Sequence, residues 1–346
     1  MPRTTVAVRE DYVVRPRPDD VLVPRGVQAL ADALDASGSV LAVSTSDPGA
    51  ISAARSTTVA QSPALLEQSD PSATMWRRDF LARRPEWPTA PALVRGLLAR
   101  TVMAAHRIDV VAEPLVAAQV RSAGSGTELR LLTAELGGVA DRLDDLHGVG
   151  GEIADADLRR HWYLAVVEPE LRTACMHLRE AEDSVRVRIV ERVAEIAEVN
   201  ALDVEATIPA IHRLHYHLAR RRLFPELMDV VKAESSGELR LLPAVRHRRS
   251  WYGDYPFVND ATLAVPREIY RLDEEFALRS RVDAVEWEGT SLQIEGYAYL
   301  ALLNADDDAA QRLALALVRN GTGDRIKLPV ERVCRPDVTA RAREAA

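Results

Sequence analysis

The spacing of apolar residues changes character twice along the chain, marking three regimes. From the start to about residue 120, short apolar runs alternate with stripes of helical period. Tyr12-Val13-Val14 is a brief apolar run closed by Pro16 and Pro18, as expected of a strand ending where proline cannot donate to a ladder. Pro24 suits the first turn of a helix, and Val27, Leu30, Ala31 and Leu34 recur at i, i+3, i+4 and i+7 before Gly38. Residues 39–44 (SVLAVS) predict a second strand. Val94, Leu97, Leu98, Thr101, Val102 and Ala105 share one face of a helix over about 91–106, and residues 108–111 predict a third strand. This is an α/β pattern with fewer strands than a complete doubly wound sheet requires.

After a polar hinge at 121–126 (RSAGSG), only helical periodicity is legible as far as residue 235. Val185, Ile189, Val193 and Ile196 fall in register, with Glu182 and Arg186 spaced to pair at i, i+4. Two further helices are predicted over about 209–221 and 224–233, and residues 236–280 read as a mixed connector around WYGDYPF. From 281 onward the period becomes two. VDAVEWEG and SLQIEGYAY alternate, RLALALV and RIKLPV follow, and NGTGD at 320–324 has hairpin chemistry. These four strands predict half of a β-sandwich, whose open face and edge call for a second copy, another chain or further strands.

Composition narrows the classes. Of 346 residues, 47% are hydrophobic and 28% charged, so the chain should fold. A net charge of −8 argues against a general nucleic-acid binder, although Arg220-Arg221-Arg222 and Arg246-His247-Arg248-Arg249 are local basic clusters. Two cysteines, Cys175 and Cys334, are too few for a disulfide framework and predict reduced thiols. No run approaches the ~20 apolar residues that span a bilayer. The expected location is the cytoplasm, with peripheral contact at the membrane left open.

Five segments, in order, carry a resemblance: YVVRPRPDDVLVPRGVQALADAL, SATMWRRDF, ARTVMAAHRIDVVAEPL, HRLHYHLARRRLFPELMDVVKAE, and VDAVEWEGTSLQIEGYAYL with the later RPDVTA. Together they resemble the C-terminal portion of bacterial family 2 glycosyltransferases of the wall-teichoic-acid type. There a GT-A nucleotide-sugar domain is followed by a helical linker and immunoglobulin-like domains. The resemblance implies a multidomain α/β, all-α and all-β chain: a truncated GT-A-like module (1–120), a helical linker bundle (121–235), a connector (236–280) and a partial Ig-like β-sandwich (281–346). It implies an upstream nucleotide-binding half, so the start of this chain reads as missing that part.

In such enzymes a D-x-D motif holds Mg²⁺ or Mn²⁺ on the donor diphosphate, because a leaving group of concentrated negative charge needs hard oxygen ligands around a cation. Carried onto this sequence, the first aspartate falls on Arg17, the middle residue on Pro18, and the acids that follow on Asp19 and Asp20. Asp19 and Asp20 are the candidate metal ligands, and Arg17 with Asp19 the candidate nucleotide-sugar contacts. Arg17 repels a cation, and its guanidinium suits a phosphate instead. The family's general base is a carboxylate at the head of the helix near Pro91, where this chain has Leu93 and Val94. Glu86 is the only nearby acid, a weak candidate against an ordinary loop acid.

Elsewhere, His212, His215 and His217 lack a supporting carboxylate at i+4 and read as structural. Trp251, Tyr252, Tyr255 and Phe257 read as a plug between segments ahead of a glycan platform. Asp306-Asp307-Asp308 lacks the glycine and bidentate glutamate of a calcium loop. The functional expectation is a degenerate, inactive glycosyltransferase relative retaining a polymer-binding or self-associating role. Its partners would be a full-length homologue, a second copy or an anionic cell-wall glycopolymer. The alternative is an active sugar-nucleotide-dependent transferase completed by a segment outside this chain.

Overall fold

A computed structural model describes residues 6–9, 11–16, 20–45, 56–67, 71–83, 94–117, 128–204, 207–242, 244–272, 275–276, 278–300, 314–319 and 323–331. The chain divides into two compact units, residues 1–204 with 219–224, and 205–218 with 225–346. Among the described residues, no helix is long and apolar enough to cross a membrane.

The first unit opens on a five-stranded mixed sheet. In chain order its elements are β1 (Val6–Arg9), β2 (Tyr12–Val14), α1 (Pro24–Ser37), β3 (Leu41–Ser44), β4 (Thr74–Arg77), α2 (Arg78–Ala82), α3 (Val94–Ala104) and β5 (Ile108–Val111). The strand order is β1-β2-β4-β3-β5. β3 and β5 are parallel, and every other pairing is antiparallel. The three strands expected from the sequence are present, joined by β1 and β4, which were not expected.

The helix α1 forms as its sequence dictates. Pro24 occupies its first turn, and Gly38, at φ 72°, ends it by donating its N–H to the Leu34 carbonyl. Leu30, Ala31 and Leu34 bury completely against Tyr12, Val14, Ala42 and Met75, with Val27 at the margin. The opposite sheet face carries Val13, Leu41, Val43, Trp76 and Ile108, all buried. The helix start presses on the loop after β5. A Cβ at Gly26 would lie 1.9 Å from the Pro114 carbonyl oxygen, so only glycine fits.

Among the described residues, four further helices belong to this unit: α4 (Glu128–Glu152), α5 (Ala156–Trp162), α6 (Glu168–Met176) and α7 (Asp183–Val204). Ile189, Val193 and Ile196 of α7 are buried as their spacing requires, while Arg188 and Arg192 pair with Asp141 and Asp144 of α4. The expected Glu182–Arg186 pair is replaced. Arg186 pairs with Asp183 at 2.7 Å and also donates to the carbonyls of Leu178 and Ala181, whose open valences just before the helix outcompete a surface acid. Between α5 and α6, residues 163–167 form a widened π turn in which the Glu168 N–H reaches the Tyr163 carbonyl, five residues back. Pro169 follows in the first turn of α6.

The second unit contains α8 (Ala210–Arg220, whose final residues belong with the first unit) and α9 (Phe224–Ser235). Three hairpin-like pairs follow: β6 (Ala244–His247) with β7 (Ser250–Gly253), β8 (Leu278–Glu288) with β9 (Ser291–Leu300), and β10 (Leu315–Val318) with β11 (Arg325–Leu328). The four strands expected after residue 277 are all found. Among the described residues they make two separate two-stranded sheets. Register places Val282, Val285, Trp287, Leu292 and Ile294 on one face of β8–β9, and Trp287 is 72% exposed.

Candidate functional site

Because β4 runs against its neighbours, β2, β3 and β5 all point the same way and end along one edge of the sheet. In open α/β sheets ligands gather at such carboxyl ends. Here the β2–α1 connection is stitched to the segment after β5. Val23 N donates to Leu115 O at 2.9 Å, Ala117 N to Val21 O at 2.9 Å, and Leu22 bridges Val116. Ser44, the last residue of β3, donates its hydroxyl to the Glu113 carbonyl at 2.8 Å and accepts the Leu115 N–H at 3.0 Å. Arg25 closes the corner with an ion pair to Glu113 at 2.8 Å.

Asp20 sits in this corner, partly buried, between β2 and α1. Arg15, at the end of β2, is also partly buried, and desolvation pulls its guanidinium below its ordinary pKa. The other candidates, Arg17, Asp19 and Glu86, lie outside the described residues, as does Leu93. The described donors at this edge do not make a divalent-cation site on their own. The Glu113 carboxylate is committed to Arg25, and Mg²⁺ or Mn²⁺ asks for several hard oxygens. Among the described residues, no three His, Cys, Asp or Glu side chains are grouped to hold a metal. Asp306-Asp307-Asp308 also lies outside the described residues.

The histidine-rich helix builds something else. His215 is fully buried with Nε2 3.3 Å from a Glu234 carboxylate oxygen. Beside it Arg213, 7% exposed, donates to the Ile269 and Arg271 carbonyls and lies 3.7 Å from Glu275. Glu275 in turn accepts the Ala210 N–H at 2.6 Å, satisfying a donor of the first turn of α8. Tyr255, the buried member of the aromatic group, has its phenol raised by desolvation and then by the charges of Glu275 and Glu234. Cys175 is buried and in no disulfide, and Cys334 lies outside the described residues.

Burial raises the Glu275 carboxyl, while the Ala210 N–H, Arg213 and His212 oppose the shift without reversing it. Folding therefore favours its protonated form. The resulting stability is present below the ordinary carboxylate range and is lost as pH rises through the raised value. Glu275→Gln keeps an acceptor for Ala210 and removes the titration. Urea unfolding across pH 4 to 8 is expected to show a smaller loss of stability with rising pH in the variant than in the parent. Identical pH profiles would contradict this account.

No protein-family model matches the sequence, and no curated protein does. By fold the chain is similar to Staphylococcus aureus TarS. The TM-score is 0.57 at 12% identity, over 96% of this chain and 59% of that one. The chain thus spans 59% of the length of that structure. TarS 1–349 with UDP-GlcNAc (15% identity, 72% of this chain and 74% of that one) and with UDP (13%, 71% and 72%) each reach 0.49, too distant to place residues. At such identities the likeness concerns the fold alone.

Proposed function

We propose that this chain is a degenerate relative of the family 2 glycosyltransferases that has lost sugar transfer and retains the binding of an anionic wall polymer. It would be organised as GT-A-like module, helical linker, connector and Ig-like β strands, and would act in the cytoplasm or peripherally at the membrane. One observation carries the reading. Arg17 stands where the resemblance places the first metal-binding aspartate, and Leu93 and Val94 stand where it places the base. A guanidinium two residues from Asp19 opposes a divalent cation, and an aliphatic side chain cannot accept a proton from an acceptor hydroxyl. The glycosyltransferase-type fold supports the resemblance on which both positions depend.

The test is turnover of nucleotide sugars by the purified full chain with Mn²⁺. No release of nucleoside diphosphate above background is expected, from the parent or from Asp19→Ala. Arg17→Asp reverses one charge beside the acidic pair and is expected to tighten Mn²⁺ binding by at least about tenfold, since a unit charge ~4 Å away is worth ~1 kcal/mol even in water. Turnover by the parent that Asp19→Ala abolishes would replace this reading with that of an active transferase, which the retained Asp19-Asp20 pair favours.

A further inference from the structure

The residues Val245, Arg246, His247, Arg248 and Arg249, at the end of the β6–β7 hairpin, are all exposed. His247 pairs with Ser250, so Arg248 and Arg249 form the two-residue turn. Arg248 sits at φ 55°, in the first turn position, which hairpins with a left-handed residue there ordinarily give to glycine. A long cation held in that conformation at the end of an exposed hairpin is the kind of local strain that goes with a binding role.

The register distributes the charges around the hairpin. Arg246 and Trp251 share one face, and the Arg246 guanidinium lies over the Trp251 ring at 5.9 Å. Val245 and Tyr252 share the other, where the Arg267 guanidinium lies over the Tyr252 ring at 4.8 Å. The base is anchored: Trp251 O accepts the Leu272 N–H at 2.9 Å, and the Trp251 ring packs edge-on against Phe276. Among the described residues, none of these four arginines meets a carboxylate, whereas Arg95, Arg100, Arg142, Arg188 and Arg192 of the first unit all do. Asp254, the next acid along the chain, lies roughly 15 Å of extended strand past Arg249. At physiological salt a charge that far away is screened, because the Debye length is only ~8 Å. Glu268 is exposed beside Arg267 in the chain, so Arg267 is the least open of the four.

From these observations we propose that the β6–β7 tip docks the protein on an anionic lipid bilayer, reaching the headgroup phosphates without entering the hydrocarbon. This deepens the peripheral-membrane part of the function proposed above and rests on that part alone, needing neither the loss of transfer nor polymer binding. Arg246 and Arg267 occupy opposite faces of the hairpin, with Arg248 and Arg249 at its end, so no single compact anion meets all four. A tip lowered into a layer of headgroups meets phosphate on both faces and at the end, and guanidinium groups bind phosphate well. The depth also fits. The Arg246–Trp251 rung lies two residues behind the turn, ~7 Å by strand rise, and the headgroup layer on each side of a bilayer is ~5–8 Å thick. Trp251 and Tyr252 then fall within that layer or at its edge, where such rings collect. Elsewhere the net charge of −8 opposes adsorption on an anionic surface, which confines attachment to a local basic element. Single-stranded nucleic acid fits less well, because guanidinium groups cover the two rings on which bases would stack.

The experiment is co-sedimentation of the full chain with vesicles of phosphatidylglycerol and phosphatidylcholine in equal parts, set against phosphatidylcholine alone. At roughly fivefold per arginine near an anionic surface, four predict an association constant on the order of 10³ M⁻¹ in lipid. Combining Arg246→Gln, Arg248→Asn and Arg249→Gln should weaken it about 150-fold, with circular dichroism as the check on folding. Arg249→Glu alone, a charge reversal at an exposed turn position, should weaken it about 25-fold by the same rule. Arg246→Lys with Arg249→Lys should bind within about twofold of the parent, because a bilayer reads the charge rather than the planar fork. Salt at ~1 M, where the Debye length is ~3 Å, should release the parent. Absent parent binding, equal binding to phosphatidylcholine alone, binding that survives high salt, or charge-removing variants that bind like the parent would each overturn the proposal. So would a lysine variant that loses binding as the neutral one does. Tighter binding of soluble polyglutamate or single-stranded DNA of matched charge than of the vesicles would overturn the bilayer as partner. Turnover of nucleotide sugars is measured separately, so failure here leaves the loss of transfer standing.

Discussion

Truncating Trp76 to alanine is expected to remove about 3–5 kcal/mol, because a fully buried indole is lost from a strand with neighbours on both sides. Trp76 pairs with Val13 of β2 and Leu41 of β3, so its ring lies across the joint between the two halves of the sheet. Removing it leaves a cavity that Val13 and Leu41 cannot close without shifting the carboxyl end of β2, which leads to Asp20. Since folded domains hold only ~5–15 kcal/mol in total, the variant should unfold at a clearly lower denaturant midpoint. Trp76→Phe should recover most of the loss. A midpoint for Trp76→Ala within the range of ordinary surface substitutions would refute the assignment of this residue to the core.

Arg213→Ala is expected to be as damaging, for an electrostatic reason. The guanidinium is 7% exposed and serves the Ile269 and Arg271 carbonyls and the Glu275 carboxylate together. Deleting it strands a buried charge and two acceptors, a loss of about 3–5 kcal/mol when one partner of a buried pair is removed. The diagnostic is the double variant. Arg213→Met with Glu275→Gln should be more stable than the sum of the single changes by roughly 0.5–3 kcal/mol, because no charge is left without its counterion. Strict additivity in denaturant unfolding would show that the two residues do not act on each other.

What the sequence announced, and what it concealed, follows from the range of the forces involved. The helix α1 was legible because its signals are local: Pro24, a four-position apolar stripe, and Gly38. β4 was not. Its apolar content is Met75-Trp76 between polar residues, and Arg77 at its end is accommodated only because its guanidinium reaches the Leu34 and Ser39 carbonyls at the far end of α1. The bulge between Val282 and Ala284 shows a finer limit, since alternation read from 282 starts across a register shift. At the candidate site, Asp20 was visible from motif spacing. The Ser44 bridge and the Arg25–Glu113 pair join residues 69 and 88 positions apart, and no local pattern encodes them. At the hairpin tip the cluster of arginines was plain. Their freedom from carboxylates depends on which acids fold nearby.

The widened turn at 163–167 sets a rule for how this protein tolerates change in length. Pro169 lacks an N–H and crowds the carbonyl four residues before it, so a strictly α-helical passage from Ala156 to Met176 would be broken there. One surplus residue, accommodated by the five-residue step from Glu168 to Tyr163, carries the helix past the proline unbroken. Excising any one of the five would return the step to four residues, leaving α6 nearly in phase but driving the Pro169 ring against the carbonyl four residues before it. In this stretch a deletion should therefore do more harm than almost any substitution.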